Sequence, residues 1–428
     1  MVRRTHLQIH RRNRTLTDVK RTSRDIRLAN CFDVLQRIVA ASPVSRQQVA
    51  AETGLSLATV SNLVGDLLAL GVVREVGFEE SGGGRPRALV AANPTGGALV
   101  GVDLAETYVH VEIYDLTLSV LATAEEEIGS AENSPEQVIS HIVSTIQGVA
   151  AGGGPRVLGV GVSVPGQVDR EAGRSVFAHN LDWHDVPLRD QLGAALRAEG
   201  LDLPIYLDNP LKAATVAELW FGAGRGRRDV VVINLGTGVG AGLALGGELH
   251  RGVSNSAGEW GHTTLVLDGR VCRCGTQGCV EAYVGAPGIM QHLRELAPTS
   301  PLLHPDDQTA TIDALAEAHQ AGDPVAAKVV AETGRYLAAA VAGLINLLNP
   351  EAIVLSGWVT DRIGPALLHE CRSALPRYAL RRPLEHVEIA VGGLARNPVS
   401  LGAATFALEG FLGSIGTASA PVKARVGR

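Results

Sequence analysis

The chain has 428 residues, 46% hydrophobic and 19% charged, enough for a large core in two or three domains. No run approaches the roughly 18 apolar residues a membrane helix needs, and the basic N-terminus lacks the apolar stretch of a secretory signal. Five cysteines are too few for a disulfide scaffold and suit metal ligands in a reducing compartment, so the expectation is a cytoplasmic protein with no membrane partner.

Charge is uneven along the chain. Residues 1–93 hold 14 Lys/Arg against 8 Asp/Glu, and the remainder holds 24 against 36. A basic front and an acidic rest assign any polyanionic partner to the front alone. Residues 1–24 carry Arg3, Arg4, Arg11, Arg12, Arg14, Lys20 and Arg21 without a hydrophobic period. They read as a disordered basic arm, either touching phosphates or idle.

Residues 25–93 form the next unit. Ile26, Ala29, Phe32, Val34, Leu35 and Ile38 recur at helical spacing, and Pro43 ends that helix. Arg46 to Thr53 reads as a short helix capped by Ser45. After a turn at Gly54, a second helix capped by Ser56 runs to Leu70 and stops at Gly71. Two short helices joined by a glycine turn make a helix-turn-helix, whose second helix fits the major groove. Its DNA-contacting candidates are Arg46, Ser56, Thr59, Ser61 and Asn62, polar or basic and suited to phosphates and base edges. Val72 to Val76 and Ala88 to Val90 flank a glycine-rich tip, Gly82 to Arg87. This is a two-stranded wing, and Arg85 and Arg87 on either side of Pro86 suit a narrow minor groove. The partner expected is operator DNA.

Asn93 to Gly97 reads as a hinge. Beyond it the body spans 98–412, with a tail at 413–428. Ala98–Asp103 reads as a buried strand and Tyr108–Tyr114 as an alternating one, and strands end in glycine turns at Leu158–Gly166, Val230–Gly240 and Ile353–Gly357. Helices such as Pro135–Val149 and Ala326–Leu348 separate them, which gives an α/β fold. The strand-and-hairpin start occurs twice, predicting two lobes with a cleft.

Three of the five cysteines, Cys272, Cys274 and Cys279, fall within one loop, with His262 just upstream. Three thiolates and an imidazole make a closed, structural Zn2+ site with no open position for water. Gly275 and Gly278 allow the tight turns this needs. Glu259 and Glu281 flank the loop and stay free for another partner.

Glu259-Trp260-Gly261-His262 and Cys272-Arg273-Cys274-Gly275-Thr276-Gln277-Gly278-Cys279-Val280-Glu281 together resemble the signature of the ROK family, the repressors, open reading frames and sugar kinases. The resemblance covers almost everything from Leu99 to about Leu412. It implies a two-lobed actin-like, hexokinase-type ATPase fold. The winged front is what the family's repressors carry and its kinases lack. By motif match the resemblance also names sugar-contacting positions: Asn180, Asn209, Glu259, His262 and Glu281, all hydrogen-bonding types.

The kinase parts are degraded against the family pattern. An Asp-x-Gly-Gly-Thr turn is implied, but Ala105 and Glu106 stand at its glycines between Asp103 and Thr107. The family's Asn-Asp-x-Asn, with Glu nine positions after the first Asn, fits Asn209 and Glu218. It puts Pro210 at the catalytic Asp and Lys212 at the later Asn, unless Asp208, one residue early, is the base. Proline accepts no proton. Trp358 crowds the adenosine-side turn, whereas Gly236-Thr237-Gly238 is intact. The expectation is a repressor, not an enzyme, sensing a sugar or sugar phosphate and acting as a homodimer or dimer of dimers. An active sugar kinase with a DNA-binding head, or a regulator answering to a partner protein, are the alternatives.

Overall fold

The computed structural model describes residues 22–79, 86–128, 134–150, 154–178, 181–394 and 397–415. Most of the basic arm, Arg85, Asn180 and the end of the tail lie outside them.

The front unit opens with α1 (Ser23–Ala41) and β1 (Val44–Ser45), followed by α2 (Arg46–Thr53) and α3 (Leu57–Ala69). Ser45 and Gln48 form a reciprocal capping box at α2. Gly54 ends α2 at φ +70° and sends its N–H to Ala50, which turns the chain into α3. Val60, Leu63, Val64 and Leu67 make the buried stripe of α3. The wing is β2 (Val73–Glu79) and β3 (Arg87–Ala92), antiparallel. A third strand was not legible: the two-residue β1 pairs with the other edge of β3, too short to show a period.

Two sheets of the same topology build the body. The first lobe holds β4 (Ala98–Leu104), β5 (Tyr108–Asp115), β6 (Val120–Glu127), α4 (Pro135–Ala150) and β7 (Val157–Ser163). A small hairpin sheet of β8 (Gln167–Asp169), β9 (Arg174–Ala178) and β10 (Trp183–Val186) follows, then α5 (Leu188–Ala198), β11 (Ile205–Asp208) and α6 (Pro210–Phe221). The second lobe holds β12 (Val230–Leu235), β13 (Val239–Leu245), β14 (Glu248–Leu249), α7 (Glu281–Val284), α8 (Ala286–Leu296), α9 (Gln308–Gln320) and α10 (Pro324–Leu348). It ends in β15 (Ala352–Ser356), α11 (Trp358–Ala374), α12 (Arg381–His386) and β16 (Glu388–Val391). The orders β11-β7-β4-β5-β6 and β14-β13-β12-β15-β16 are equivalent. In each, an antiparallel three-strand meander is extended by two parallel strands beside its first strand.

The last helix, α13 (Pro398–Ile415), returns to the first lobe and packs on β4, β7 and α6. A Cβ on Gly402 would lie 1.9 Å from the Ala213 carbonyl oxygen, so glycine is what lets α13 and α6 touch. One hydrophobic cluster unites the front unit with this layer: Val34, Leu35, Ile38 and Leu67 share it with Tyr114, Trp220, Leu401 and Phe406.

The hinge reading of 93–97 needs correction, because the segment is braced at both ends. Asn93 donates from Nδ2 to Gly71 O at 2.8 Å and accepts from Thr95. A Cβ on Gly96 would sit 2.1 Å from that same Gly71 oxygen, and one on Gly97 would sit 2.5 Å from Leu158. The glycines serve close packing, not freedom of movement.

Candidate functional site

His262, Cys272, Cys274 and Cys279 come together, their ligand atoms all within 4.8 Å of one another. Gly275 and Gly278 turn the loop at φ +87° and +76°, and a Cβ on Gly278 would strike the Val266 carbonyl at 1.7 Å. Cys274 and Cys279 sulfurs are 3.7 Å apart, and His262 Nδ1 is 3.6 Å from Cys272 Sγ. Tetrahedral zinc with bonds of roughly 2.3 Å to sulfur and 2.0–2.1 Å to nitrogen requires separations of about 3.8 and 3.6 Å. These two separations match a tetrahedral ion, and three thiols with an imidazole are a donor set that could hold one. Arg270 anchors the loop from behind, donating to Ala282 O, Gly288 O and Glu295, with its guanidinium 4.9 Å from the Tyr283 ring centroid.

In front of the cluster a cleft of about 900 Å³ runs between the lobes. Asn209, Glu259, His262 and Glu281 all line it. Their freedom differs. Asn209 caps α6, accepting from the Leu211 N–H at 2.9 Å and donating to Gly166 O at 2.8 Å. Glu281 is buried and accepts from the Val239 N–H at 3.0 Å, with Arg273 at 3.7 Å. Glu259 is exposed and makes no side-chain hydrogen bond among the described residues.

Pro210 is the first residue of α6, directly after its Asn209 cap. Asp208 is fully buried, is not among the cleft-lining residues, and sits between Arg251 at 3.1 Å and Arg170 at 3.2 Å. Its carboxylate is thus engaged by two guanidinium groups. Asp103, which also lines the cleft, accepts from Tyr108 at 3.2 Å and from Asn397 at 3.0 Å. Burial pushes its carboxyl above the usual range, and those two hydrogen bonds partly offset the shift. Gly357, at φ +95°, turns β15 into α11 and delivers the Trp358 indole against Gly236; a Cβ there would meet Nε1 at 3.0 Å. The intact glycine turn is thus covered by an aromatic ring.

A profile of the ROK family matches residues 99–409. The chain belongs to the ROK family. The xylose repressor of Caldicellulosiruptor bescii is 28% identical over 385 residues, covering 89% of this chain and 95% of its own. The xylose repressor of Bacillus subtilis is 27% identical over 389 residues, with the same coverages of 89% and 95%. The glucokinase of Thermotoga maritima is 33% identical over 317 residues, 73% of this chain and 97% of its own. Among solved structures, a ROK family transcriptional regulator described as a homolog of the E. coli MLC protein superposes with TM-score 0.75 at 25% identity, covering 91% and 97% of the two chains. A ROK family glucokinase from Streptomyces griseus, solved with glucose and AMPPNP, gives 0.63 at 29% identity, covering 73% and 100%. The regulators extend over parts of the chain that the kinases leave unmatched. The body has the actin-like ROK kinase fold, and no described helix is long and apolar enough to cross a membrane.

On the head of this ROK protein, Ser61 and Asn62 project from the exposed face of α3. Ser56 and Thr59 are occupied with each other in the cap, their hydroxyls 2.8 Å apart. Arg46 pairs with Glu75 of the wing at 3.0 Å, and Arg87 lies 3.7 Å from Glu79. Sequence reasoning missed Phe177, Arg273, Asp361 and Asn397 in the cleft. Of these only Arg273 carried a signal, its place between two cysteines of the cluster.

Proposed function

We propose that this ROK protein is a sugar-responsive transcriptional repressor. The head, residues 25–93, binds an operator through α3 and the wing, with Arg46, Ser56, Thr59, Ser61, Asn62, Arg85 and Arg87 as its contacts. The body, residues 98–412, senses a sugar through Asn180, Asn209, Glu259, His262 and Glu281. The observation that carries this reading is the joining of an ordered winged head to a cleft-bearing body through a shared core. The repressors' match across 89% of the chain supports it.

The cluster of His262, Cys272, Cys274 and Cys279 holds a structural Zn2+ in this reading, which fixes the loop and supplies no reaction chemistry. His262 gives Nδ1 to the cluster, keeping Nε2 for a sugar hydroxyl. A sugar held by both lobes binds the closed arrangement more tightly than the open one, and that difference is the whole of the signal. The first lobe carries the head on α6 and α13, so closure re-aims the head relative to the second lobe and to a partner copy. A dimer on a palindromic site converts that rotation into altered half-site spacing. The reading places the protein in the cytoplasm.

Catalysis is lost in this reading. Pro210 stands where a base is needed, and Trp358 covers the glycine turn. Gel shifts at fixed salt, with upstream DNA and a panel of sugars, test it. The expected result is binding that one sugar changes by at least about tenfold; no DNA binding, or no response to any sugar, rejects it. The second reading, an active sugar kinase with a DNA-binding head, is favoured by the intact Gly236-Thr237-Gly238 sequence. ATP turnover with any hexose would establish that reading.

A further inference from the structure

The cleft is lined by more residues than the sugar positions account for. At about 900 Å³ it lies near the top of the roughly 300–1,000 Å³ range of pockets that enclose drug-sized ligands. Glu259, His262 and Glu281 line it, and so do Asp103, Trp358, Asp361 and Asn397 from other elements. In a kinase of this fold the second group serves the nucleotide. Here its charged groups are of the wrong sign for phosphate. Asp103, Asp361 and Glu218 are carboxyls, and burial raises all three above their usual range. No guanidinium or ammonium forms an ion pair with any of them among the described residues. Arg273 is the one Lys or Arg side chain among the described cleft-lining residues. It is already engaged by Thr237 O at 3.2 Å and by Glu281 at 3.7 Å. A phosphoryl group placed here meets carboxyls and, among the described cleft-lining residues, finds no unengaged Lys or Arg.

The same side chains suit a different occupant. The Asp361 carboxyl makes no side-chain hydrogen bond among the described residues, and Asp103, which accepts from Tyr108 and Asn397 at Oδ2, has Oδ1 left for a hydroxyl group. The Trp358 indole adds a flat apolar surface, backed by the Arg362 guanidinium 5.3 Å from its ring centroid. Polar groups converging around one aromatic plate match a sugar ring, whose C–H faces are apolar and whose rim is hydroxylated.

Resting on the sugar-sensor reading, we propose that the Trp358 half of the cleft is a subsite for a second sugar ring, and that the effector is a neutral saccharide of disaccharide length. One ring sits among Asn209, Glu259 and His262. The other lies against Trp358, with hydroxyls directed to Asp361, Asp103 and Asn397. The degraded kinase positions then have a use: Trp358, which covers the nucleotide turn, is the new ring's support.

Calorimetry on the full chain tests this with glucose and xylose as single rings, maltose, cellobiose and xylobiose as double rings, and glucose 6-phosphate and ATP as anions. The expected result is one disaccharide bound at least about tenfold more tightly than its own monosaccharide, with no heat from either anion. In Trp358→Ala that preference falls below about threefold, and Trp358→Phe, which keeps an aromatic plate, retains part of it. Thermal melts of both variants establish that they are folded. A monosaccharide as tight as every disaccharide, a preference that survives Trp358→Ala, or glucose 6-phosphate as the tightest ligand overturns the subsite. Silence from every saccharide overturns the sensor reading itself, and the subsite with it.

Discussion

Glu259 faces the cleft with its carboxylate unengaged, while Asn209 and Glu281 are tied into the protein. A free carboxylate can accept two hydroxyl hydrogen bonds, each worth roughly 1.5–3 kcal/mol when the acceptor is charged. Glu259→Ala should therefore weaken sugar binding by an order of magnitude or more. Operator affinity without sugar should stay within about twofold, because the residue lies in the second lobe, away from α3 and the wing. A titrated gel shift reads both, and an unchanged sugar response at the same concentration refutes the assignment. Cys274 is the exposed cysteine of the cluster, whereas Cys272 and Cys279 are buried, so its replacement leaves the core around those two in place. Cys274→Ser should lower bound zinc from about one per chain to near zero by elemental analysis, and should lower the melting temperature. A metal-free protein of parental stability would remove the site.

α6 begins in the cleft, where Asn209 caps it, and ends at the head, where Trp220 meets Phe32 of α1 with ring centroids 4.9 Å apart. α13 runs beside it, starting next to the cleft-lining Asn397 and carrying Phe406 to the same seam. In the proposed repressor these two helices would carry a cleft signal to the head, and Phe32→Ala should loosen that contact without touching the cleft. Sugar affinity should hold within about twofold, while the sugar-induced change in operator affinity should fall at least about threefold, given that couplings of this kind are typically 1–3 kcal/mol. Isothermal titration and gel shift separate the two quantities; an intact response would place the coupling elsewhere. The helices and their caps were legible in sequence because Ser45, Gln48 and Ser56 act on neighbours three positions away. The cysteine cluster was legible for the same reason, its thiols lying within one loop. Arg273 aside, the missed cleft residues were not, because Phe177, Asp361 and Asn397 approach from three separate elements distant in sequence from the cysteine loop, and no local period records that. The bracing of Asn93 to Gly97 was hidden likewise: turn composition shows where the chain bends, and only the packing of Gly96 on Gly71 shows whether it can move.

The shared core changes what kind of machine the whole chain is. A DNA-binding head on a free linker would melt independently and transmit nothing through its tether. Here Val34, Leu35 and Ile38 of α1 are wholly buried in one cluster with Leu99, Tyr114 and Trp220 of the first lobe. The Arg225 guanidinium also donates to Ala40 O at 2.7 Å across the seam. The head and first lobe should therefore unfold together, in one calorimetric transition, with the second lobe joining or following it. Removing residues 1–93 strips cover from that core. Exposed apolar area costs roughly 25 cal/mol per Å², so the isolated body should melt at a lower temperature than the full chain and show increased binding of a hydrophobic dye. A sugar that bridges the lobes should raise the joint transition by mass action, by about 2.7 kcal/mol of stability at 100 times its dissociation constant. The decisive measurement is a scan of the full chain with and without its sugar. If the head melts in its own earlier step, unmoved by sugar, and the truncated body keeps the parental melting temperature, the head is tethered and not built in. The route through α6 and α13 would fall with it.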